Sequence, residues 1–371
     1  MTGPGREEVV TVETEGWQDR CPDRFQLGEG ARWHAGRLYF VDLLQGALYS
    51  LGGGPGPGPD GGGGPGPGPD GGGGPGPGPD GGGGPADPRP EARSDVPLGA
   101  VAPVHGRPGE WIAAAGPGIA LLRPGALPHW LARPEEGAPR PMRMNDAACD
   151  PVGRFWATSM AVDAEPGAGS LYRVDRDGSA RRVLTGLTVP NGPVFDGAGS
   201  TLFLADSARG LIASHAVDPG SGRLGPARPF VRLEPGEGKP DGMTVDDAGY
   251  LWVALWGAGR VRRYDPRGRL REEVAVPTPN VSSVAFGGGL MHVTTARHRL
   301  AEPDAWAGAV LARRSGVTAP PAAPFRPSFR LPLPSAASFP RAAGAPPPPP
   351  RGGGAAAGGR NRAPTPGDLV F

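Results

Sequence analysis

Four short segments of the chain place side chains with oxygen donors in similar local settings. They contain Glu29, Asn145 with Asp146, Asn191, and Asp241. Each lies about ten residues before a short apolar segment of the kind that predicts a β-strand. Carboxylate and amide oxygens suit Ca²⁺, Mg²⁺ or Mn²⁺, and they also accept Zn²⁺. Two carboxylates and an amide therefore predict a divalent-metal site, provided that the fold brings the segments together.

Glycine directly follows three of these residues, as Gly30, Gly192 and Gly242. Glycine permits the unusual backbone angles or the close approach that a site loop requires. Asn-Gly and Asp-Gly are also common turn pairs, so any one of the three could simply cap a turn. Their recurrence at one position of a repeat favours a shared site.

Arg143 precedes Asn145 by two residues, so both side chains can point to the same side of an extended segment. A guanidinium and an amide at that place could hold a hydroxyl or carboxylate of a substrate. The alternative is an arginine in a surface ion pair.

The composition excludes several other classes of protein. None of the six histidines recurs at the position of these donors, so a histidine-based zinc site is not expected. The formal net charge of +1 gives no field for nucleic acid or a membrane surface. The N-terminus carries no basic-then-apolar signal, and no apolar run is long enough to span a bilayer. A cytoplasmic protein without nucleic-acid or membrane partners is expected.

The elements that must position the donors recur along the chain. A turn, a glycine and an apolar strand form a unit that repeats six times, at residues 35–41, 108–113, 152–157, 199–205, 249–254 and 288–293. The intervals are roughly 40 to 50 residues once a low-complexity insertion is removed, which is the spacing of propeller blades. A β-sandwich also has short strands, but it gives no reason for this self-similarity. The sequence predicts an all-β, six-bladed propeller, in which equivalent residues converge on one central channel.

Two segments rich in glycine and proline interrupt or follow the repeat. Residues 52–85 repeat a ten-residue Gly-Pro-Asp unit, which predicts a solvated loop inserted at a hairpin of the first blade. Residues 327–371 are rich in Pro, Ala and Gly and are expected to form a disordered tail. The propeller is therefore assigned to residues 1–326. Val9 to Glu13 is predicted to complete the last blade, and Ala309 to Ala312 to form its last outer strand.

The ordered motifs resemble the family of senescence-marker protein (regucalcin), gluconolactonase and luciferin-regenerating enzyme. They are Leu27-Gly28-Glu29-Gly30, Arg143-Met144-Asn145-Asp146, Pro190-Asn191-Gly192 and Pro240-Asp241-Gly242-Met243. The family is a six-bladed propeller with one catalytic divalent metal in its channel. The resemblance implies that Glu29, Asn191 and Asp241 are metal ligands, that Asp241 is also the general base, and that Arg143 and Asn145 hold substrate.

Three positions depart from the family pattern. Thr158-Ser159-Met160 stands where Gly-Thr-Met is typical, Ala147 stands where glycine is usual, and Asp163 falls where some members carry a glutamate that contacts substrate. We therefore assign Asp163, with Arg143 and Asn145, to substrate binding.

The function that these features predict is metal-dependent hydrolysis of a small-molecule sugar lactone, in the manner of a gluconolactonase. The metal is expected to be Ca²⁺ or Zn²⁺, with Mn²⁺ or Mg²⁺ as alternatives. Two other functions remain open: a calcium-binding propeller without turnover, and a metal-dependent esterase or phosphotriesterase of the same fold.

Overall fold

The structure of this protein is a computed structural model that describes residues 9–52 and 86–330. In these ranges the regular structure consists of 25 strands and one 3-10 helix, Ser207–Arg209. The strands form six separate sheets. Five sheets have four strands and one has five, so the prediction of an all-β, six-bladed propeller is confirmed.

The strands follow the chain blade by blade. Two short strands come first: β1 (Val10–Val12) and β2 (Gln18–Asp19). The first blade contains β3 (Gly28–His34), β4 (Arg37–Asp42), β5 (Ala47–Gly52) and β6 (Arg89–Arg93). The second contains β7 (Leu98–Pro103), β8 (Trp111–Ala115), β9 (Gly118–Leu122) and β10 (His129–Ala132). The third contains β11 (Met142–Cys149), β12 (Phe155–Ala161), β13 (Gly169–Val174) and β14 (Ala180–Leu187). The fourth contains β15 (Pro190–Phe195), β16 (Thr201–Asp206), β17 (Leu211–Val217) and β18 (Leu224–Arg232). The fifth contains β19 (Lys239–Val245), β20 (Leu251–Trp256), β21 (Arg260–Tyr264) and β22 (Leu270–Ala275). The sixth contains β23 (Val281–Gly287), β24 (Leu290–Thr295) and β25 (Val310–Arg314).

The first strand of every blade lies at the centre of the ring. These inner strands contact one another in the order β3, β7, β11, β15, β19, β23 and back to β3. Each runs in the same direction along the channel, so residues at the start of the six strands meet at one end, here called the upper mouth. Residues at their ends meet at the lower mouth.

The ring closes differently from the sequence prediction. The predicted N-terminal strand exists as β1, but it pairs in parallel with β22 of the fifth blade, so its assignment to the last blade is wrong. The fourth strand of the sixth blade is β2, which pairs with β25. β2 has two residues and no alternating pattern, so sequence periodicity cannot detect it. β25 also continues past the predicted end at Ala312 to Arg314.

Two copies of the turn-and-strand unit, in the third and fifth blades, share one packing arrangement. Trp156 and Trp252 are fully buried, and each indole N–H donates to an aspartate carboxylate at 3.0 Å, Asp150 and Asp246 respectively. Each aspartate also accepts backbone N–H groups of the turn between the first and second strands of its blade. In these two blades the aspartate thus fixes the turn and provides a hydrogen-bond acceptor for the buried indole.

The insertion lies between β5 and β6, the third and fourth strands of the first blade, as predicted. Gly52 belongs to β5, where it pairs with Arg37. The remaining predicted loop residues, 53–85, and residues 331–371 of the predicted tail lie outside the described residues.

The chain after β25 crosses the lower mouth. Residues 315–330, here called the strap, form backbone hydrogen bonds to the sixth, fifth, first, second and third blades in turn. Phe325 is fully buried and accepts and donates backbone hydrogen bonds at the end of β7. Ser328 donates its N–H to the carbonyl of Arg176. The described contacts with the propeller thus extend past the predicted boundary at residue 326.

Candidate metal centre

A β-bulge interrupts each of the six inner strands near its start. The register shifts between Glu29 and Arg32, between Met144 and Ala147, between Asn191 and Val194, and between Pro240 and Met243. β7 and β23 have a similar shift. A bulge places two residues opposite one and re-aims their side chains, so strict alternation no longer decides which residues face the channel. The four segments singled out in the sequence all lie at these bulges.

The glycines at the bulges have the two expected uses. Gly30 and Gly192 adopt φ values of +61° and +56°, which a side chain would strain. Gly242 has no such angle, but a Cβ there would lie 2.6 Å from the Cβ of Ser283. Gly30 and Gly192 thus permit the turn of the chain. Gly192 and Gly242 also allow neighbouring strands to approach closely, since a Cβ at Gly192 would lie 2.8 Å from the backbone oxygen of Asp241.

The structure brings the sequence-predicted donors together in the upper part of the channel. Glu29, Arg143, Asn145, Asn191 and Asp241 are each at most 6% exposed. The charges of Asp241 and Arg143 are close enough to Glu29 to shift its pKa, although the three residues belong to different blades. Their residue types and burial are those of a polar site, since charged groups are otherwise rarely buried.

Hydrogen bonds connect the amides of this cluster. Arg143 Nη1 donates to Asn145 Oδ1 at 2.5 Å, and Asn145 Nδ2 donates to Asn191 Oδ1 at 2.5 Å. Asn191 Nδ2 in turn donates to Ser207 Oγ at 2.9 Å. This chain fixes the Asn191 amide with its carbonyl oxygen toward Asn145, and that oxygen keeps a second lone pair. Sequence reasoning missed Ser207, which begins the 3-10 helix after β16 and lies outside the repeated donor positions.

The two carboxylates carry oxygens without hydrogen-bond partners. Glu29 Oε1 and Asp241 Oδ1 are buried and accept no hydrogen bond within the described residues. Burial raises the pKa of Glu29 well above its usual range, and the negative charges of Asp241 and Asp146 raise it further. Burial and the charge of Asp146 likewise raise the pKa of Asp241. Burial lowers the pKa of Arg143 to about 10, although the charges of Glu29 and Asp241 oppose that shift.

These observations fit a divalent cation better than a structural polar cluster. Uncompensated buried carboxylate oxygens are costly, and a cation beside them would offset that cost. The donor set of two carboxylates and one amide is made of oxygens alone. Within residues 9–52 and 86–330 no three His, Cys, Asp or Glu side chains form a metal-binding group, so the candidate set relies on the amide of Asn191 for its third oxygen donor.

Asp163 occupies a different environment. It follows β12 on a loop at the upper mouth, and its side chain is 64% exposed. Its Oδ2 lies 3.7 Å from Nη1 of Arg140, and its Oδ1 accepts the N–H of Glu165. In the described part of the chain it forms no hydrogen bond with the buried cluster. The structure thus places Asp163 at the rim.

A cavity lies below the cluster, at the lower mouth. Its volume is about 370 Å³, and the ends of the inner strands line it together with Ala319 to Ala323 of the strap. Arg32 forms part of its wall, whereas none of the predicted metal ligands does. The oxygen donors thus lie toward the upper mouth of the channel, whereas the strap covers a cavity at the lower mouth.

The fold and the site define a six-bladed propeller that buries a cluster of oxygen donors in its channel. The chain belongs to the SMP-30/Gluconolactonase/LRE-like region family, whose sequence profile matches residues 27–297. The family resemblance read from the motifs is therefore confirmed.

Two curated relatives and one solved structure illustrate the similarity. A pentonolactonase of Haloferax volcanii is 30% identical over 289 residues, which cover 73% of this chain and 82% of the relative. An L-arabinolactonase of Azospirillum brasilense is 39% identical over 166 residues, 44% of this chain and 55% of the relative. The chain thus spans little more than half the length of some curated relatives that it matches. The crystal structure of a calcium-binding protein, regucalcin, from Agrobacterium tumefaciens superposes with a TM-score of 0.70 at 23% identity, covering 86% of this chain and all of that one.

The described residues contain no helix that is long and apolar enough to cross a membrane.

Proposed function

We propose that this protein hydrolyses a small-molecule sugar lactone with the help of one divalent cation. The observation that carries the proposal is the pair of orphaned oxygens, Glu29 Oε1 and Asp241 Oδ1, beside the oriented amide of Asn191. The names of the relatives support the lactone as the class of substrate. Ca²⁺ and Zn²⁺ are the ions that we expect first, and Mn²⁺ or Mg²⁺ would also fit oxygen donors.

Glu29, Asn191 and Asp241 would hold the cation. When bound, such an ion supplies Lewis acidity that polarises a carbonyl oxygen and stabilises negative charge on it.

Asp241 acts as the general base. Its carboxylate takes a proton from the water that attacks the lactone carbonyl carbon. Burial raises the pKa of Asp241 in the metal-free protein, and a bound cation would oppose that shift and keep the carboxylate ionised, as a base requires. The ring C–O bond then breaks, and the proton passes from Asp241 to the departing alkoxide. The product is the open hydroxy acid.

Arg143 and Asn145 orient the substrate. The guanidinium is buried and donates one N–H to Asn145, which fixes both groups relative to the metal ligands. We assign Asp163 to a ring hydroxyl at the rim. On this assignment Asp163→Asn raises KM and leaves kcat unchanged, because an exposed rim contact contributes to binding and not to the chemical step.

The test is acid release from aldonolactones, followed by pH-stat on metal-stripped protein with Ca²⁺, Zn²⁺, Mn²⁺ or Mg²⁺ restored separately. Asp241→Asn is compared with Asp177→Asn, a carboxylate in an exposed turn of the third blade. We expect metal-dependent hydrolysis that Asp241→Asn abolishes and Asp177→Asn retains. Metal binding without hydrolysis of any lactone would refute the enzymatic part and favour a calcium-binding propeller. Turnover of other esters in preference to lactones would favour the esterase function.

A further inference from the structure

A buried ion pair lies directly beneath the candidate metal centre. Arg32 follows the bulge of β3 that carries Glu29, and Asp146 is the residue after Asn145 on β11. Arg32 Nη2 lies 3.3 Å from Asp146 Oδ1, and the two side chains are 14% and 7% exposed. The same nitrogen donates to the carbonyl of Ala147 at 2.8 Å. One guanidinium thus connects the first blade to the third just below the donors.

The carboxylate of Asp146 extends the connection to a third strand. Its Oδ2 accepts the backbone N–H of Gly192 at 2.8 Å, and its Oδ1 accepts the N–H of Ala147 at 2.7 Å. Gly192 directly follows Asn191 in the bulge of β15. A single carboxylate therefore holds the bulges of β11 and β15 in place, while Arg32 ties it to the strand of Glu29.

We propose that Arg32 and Asp146 are positioning residues that fix Glu29 and Asn191 at the separation a divalent cation requires. The inference rests on the proposed metal site and deepens it. Neither side chain is a ligand in the proposal. Arg32 borders the lower cavity, on the far side of the donors from the upper mouth, so it acts on the site through its contacts with Asp146 and the carbonyl of Ala147.

The charge of the guanidinium matters as well as its shape. Asp146 adds a third carboxyl group to a region that already buries Glu29 and Asp241, and its charge raises the pKa of both. Arg32 is its ion-pair partner in the described part of the chain. Without that partner, a buried carboxylate would repel the two ligands or draw in water, and either change would displace the bulges.

The variants separate positioning from general stability. Arg32→Met removes the guanidinium but keeps an unbranched side chain, and Arg32→Lys restores the charge without the planar fork. Asp146→Asn removes the charge from the other side of the pair. The matched control is Arg154→Met, which breaks the buried pair between Arg154 and Asp150 in the turn after β11.

The measurement is the dissociation constant of the metal, obtained by chelator competition on metal-stripped protein, together with the melting temperature of the metal-free form. Loss of a group that orients ligands typically costs about 10- to 100-fold in metal affinity. We expect this loss for Arg32→Met and Asp146→Asn, and partial recovery for Arg32→Lys. In the double variant Arg32→Met with Asp146→Asn, the loss of metal-binding free energy should be smaller than the sum of the losses in the two single variants, because both changes remove the same ion pair. Arg154→Met should lower the melting temperature and leave the metal affinity unchanged.

The outcomes distinguish this inference from the proposed activity. If Arg32→Met and Asp146→Asn bind metal as tightly as the wild type, the pair has only a structural role and the inference is overturned. A wild-type protein that binds no divalent ion would overturn it too. If the wild type binds metal, the variants bind it more weakly and no lactone is hydrolysed, the inference stands and the lactonase proposal fails.

Discussion

Replacement of Gly192 by alanine tests whether the bulges hold the metal ligands in place. Gly192 has a φ of +56°, and a Cβ there would lie 2.8 Å from the backbone oxygen of Asp241 and 2.8 Å from Cγ of Met243. The oxygen belongs to the main chain of β19, so it cannot move aside as a flexible side chain would. The new methyl group must therefore displace the segment that carries Asp241, or push its own bulge away.

The expected loss of stability has two parts. A residue other than glycine in the left-handed region costs about 1–2 kcal/mol. Overpacking of a well-packed interior adds about 1–3 kcal/mol. Gly192→Ala should thus lower the free energy of unfolding by about 2–5 kcal/mol. Gly249→Ala is the matched control, because Gly249 has a φ of +80° but no atom within 4 Å of its Cβ position. Gly249→Ala should lower the free energy of unfolding only by the cost of the left-handed backbone conformation, about 1–2 kcal/mol.

The assay combines urea unfolding of the metal-free proteins with titration of the divalent ion. We expect Gly192→Ala to unfold at a lower urea concentration than Gly249→Ala, and only Gly192→Ala to bind metal more weakly. Equal losses of stability in the two variants, with unchanged metal affinity in both, would refute the reasoning.

Three further predictions concern the rest of the molecule. Phe325→Ala should lower the free energy of unfolding, measured in urea, by about 3–5 kcal/mol, because the side chain is fully buried. Phe329→Ala is the control and should lower it less, because Phe329 is only partly buried. Equal small losses in both variants would mean that the strap does not stabilise the propeller. Burial lowers the pKa of His292 to about 4 from 6.5. Between these pH values the unfolded chain binds more protons than the folded protein, so the free energy of unfolding decreases as the pH falls from 6.5 to 4. The total decrease is about 3 kcal/mol. His292→Gln should flatten this slope in urea midpoints measured from pH 7 to pH 4, and an unchanged slope would contradict the assignment. Deletion of residues 53–85 should leave the melting temperature and the rate of lactone hydrolysis unchanged. β5 and β6 are adjacent antiparallel strands, and the entropy cost of a loop grows only logarithmically with its length. A slower rate in the deletion variant would show that the insertion contributes to function.

The membership of the candidate site could be predicted from the sequence because the fold repeats. Equivalent positions of successive blades lie at one height around the channel, so residues in the same phase of the repeat converge whatever their distance along the chain. Glu29, Asn191 and Asp241 were found in this way, and the structure buries all three in the channel. Arg143 and Asn145 followed from their spacing of two residues, and a hydrogen bond joins them.

Other features required knowledge of which strands are neighbours in space. Arg32 lies three residues after Glu29, and an unbroken strand would give no reason to place it beneath the site. The bulge of β3 and the approach of β11 create its contact with Asp146. Ser207 reaches Asn191 only because β15 and β16 pair, and its sequence setting resembles that of any turn serine. The two-residue strand β2 is defined by its partner β25, since two residues carry no periodicity.

The sequence by itself determined the number of blades, the position of the insertion and the donor atoms of the site, because these depend on a period, a composition and residue types. The tertiary structure decided how the ring closes, which face of the channel the strap covers, and how the bulges and the Arg32–Asp146 pair orient the donors. These features depend on contacts between strands of different blades. Such contacts are set by the packing of the whole ring, and no local pattern of residues encodes them.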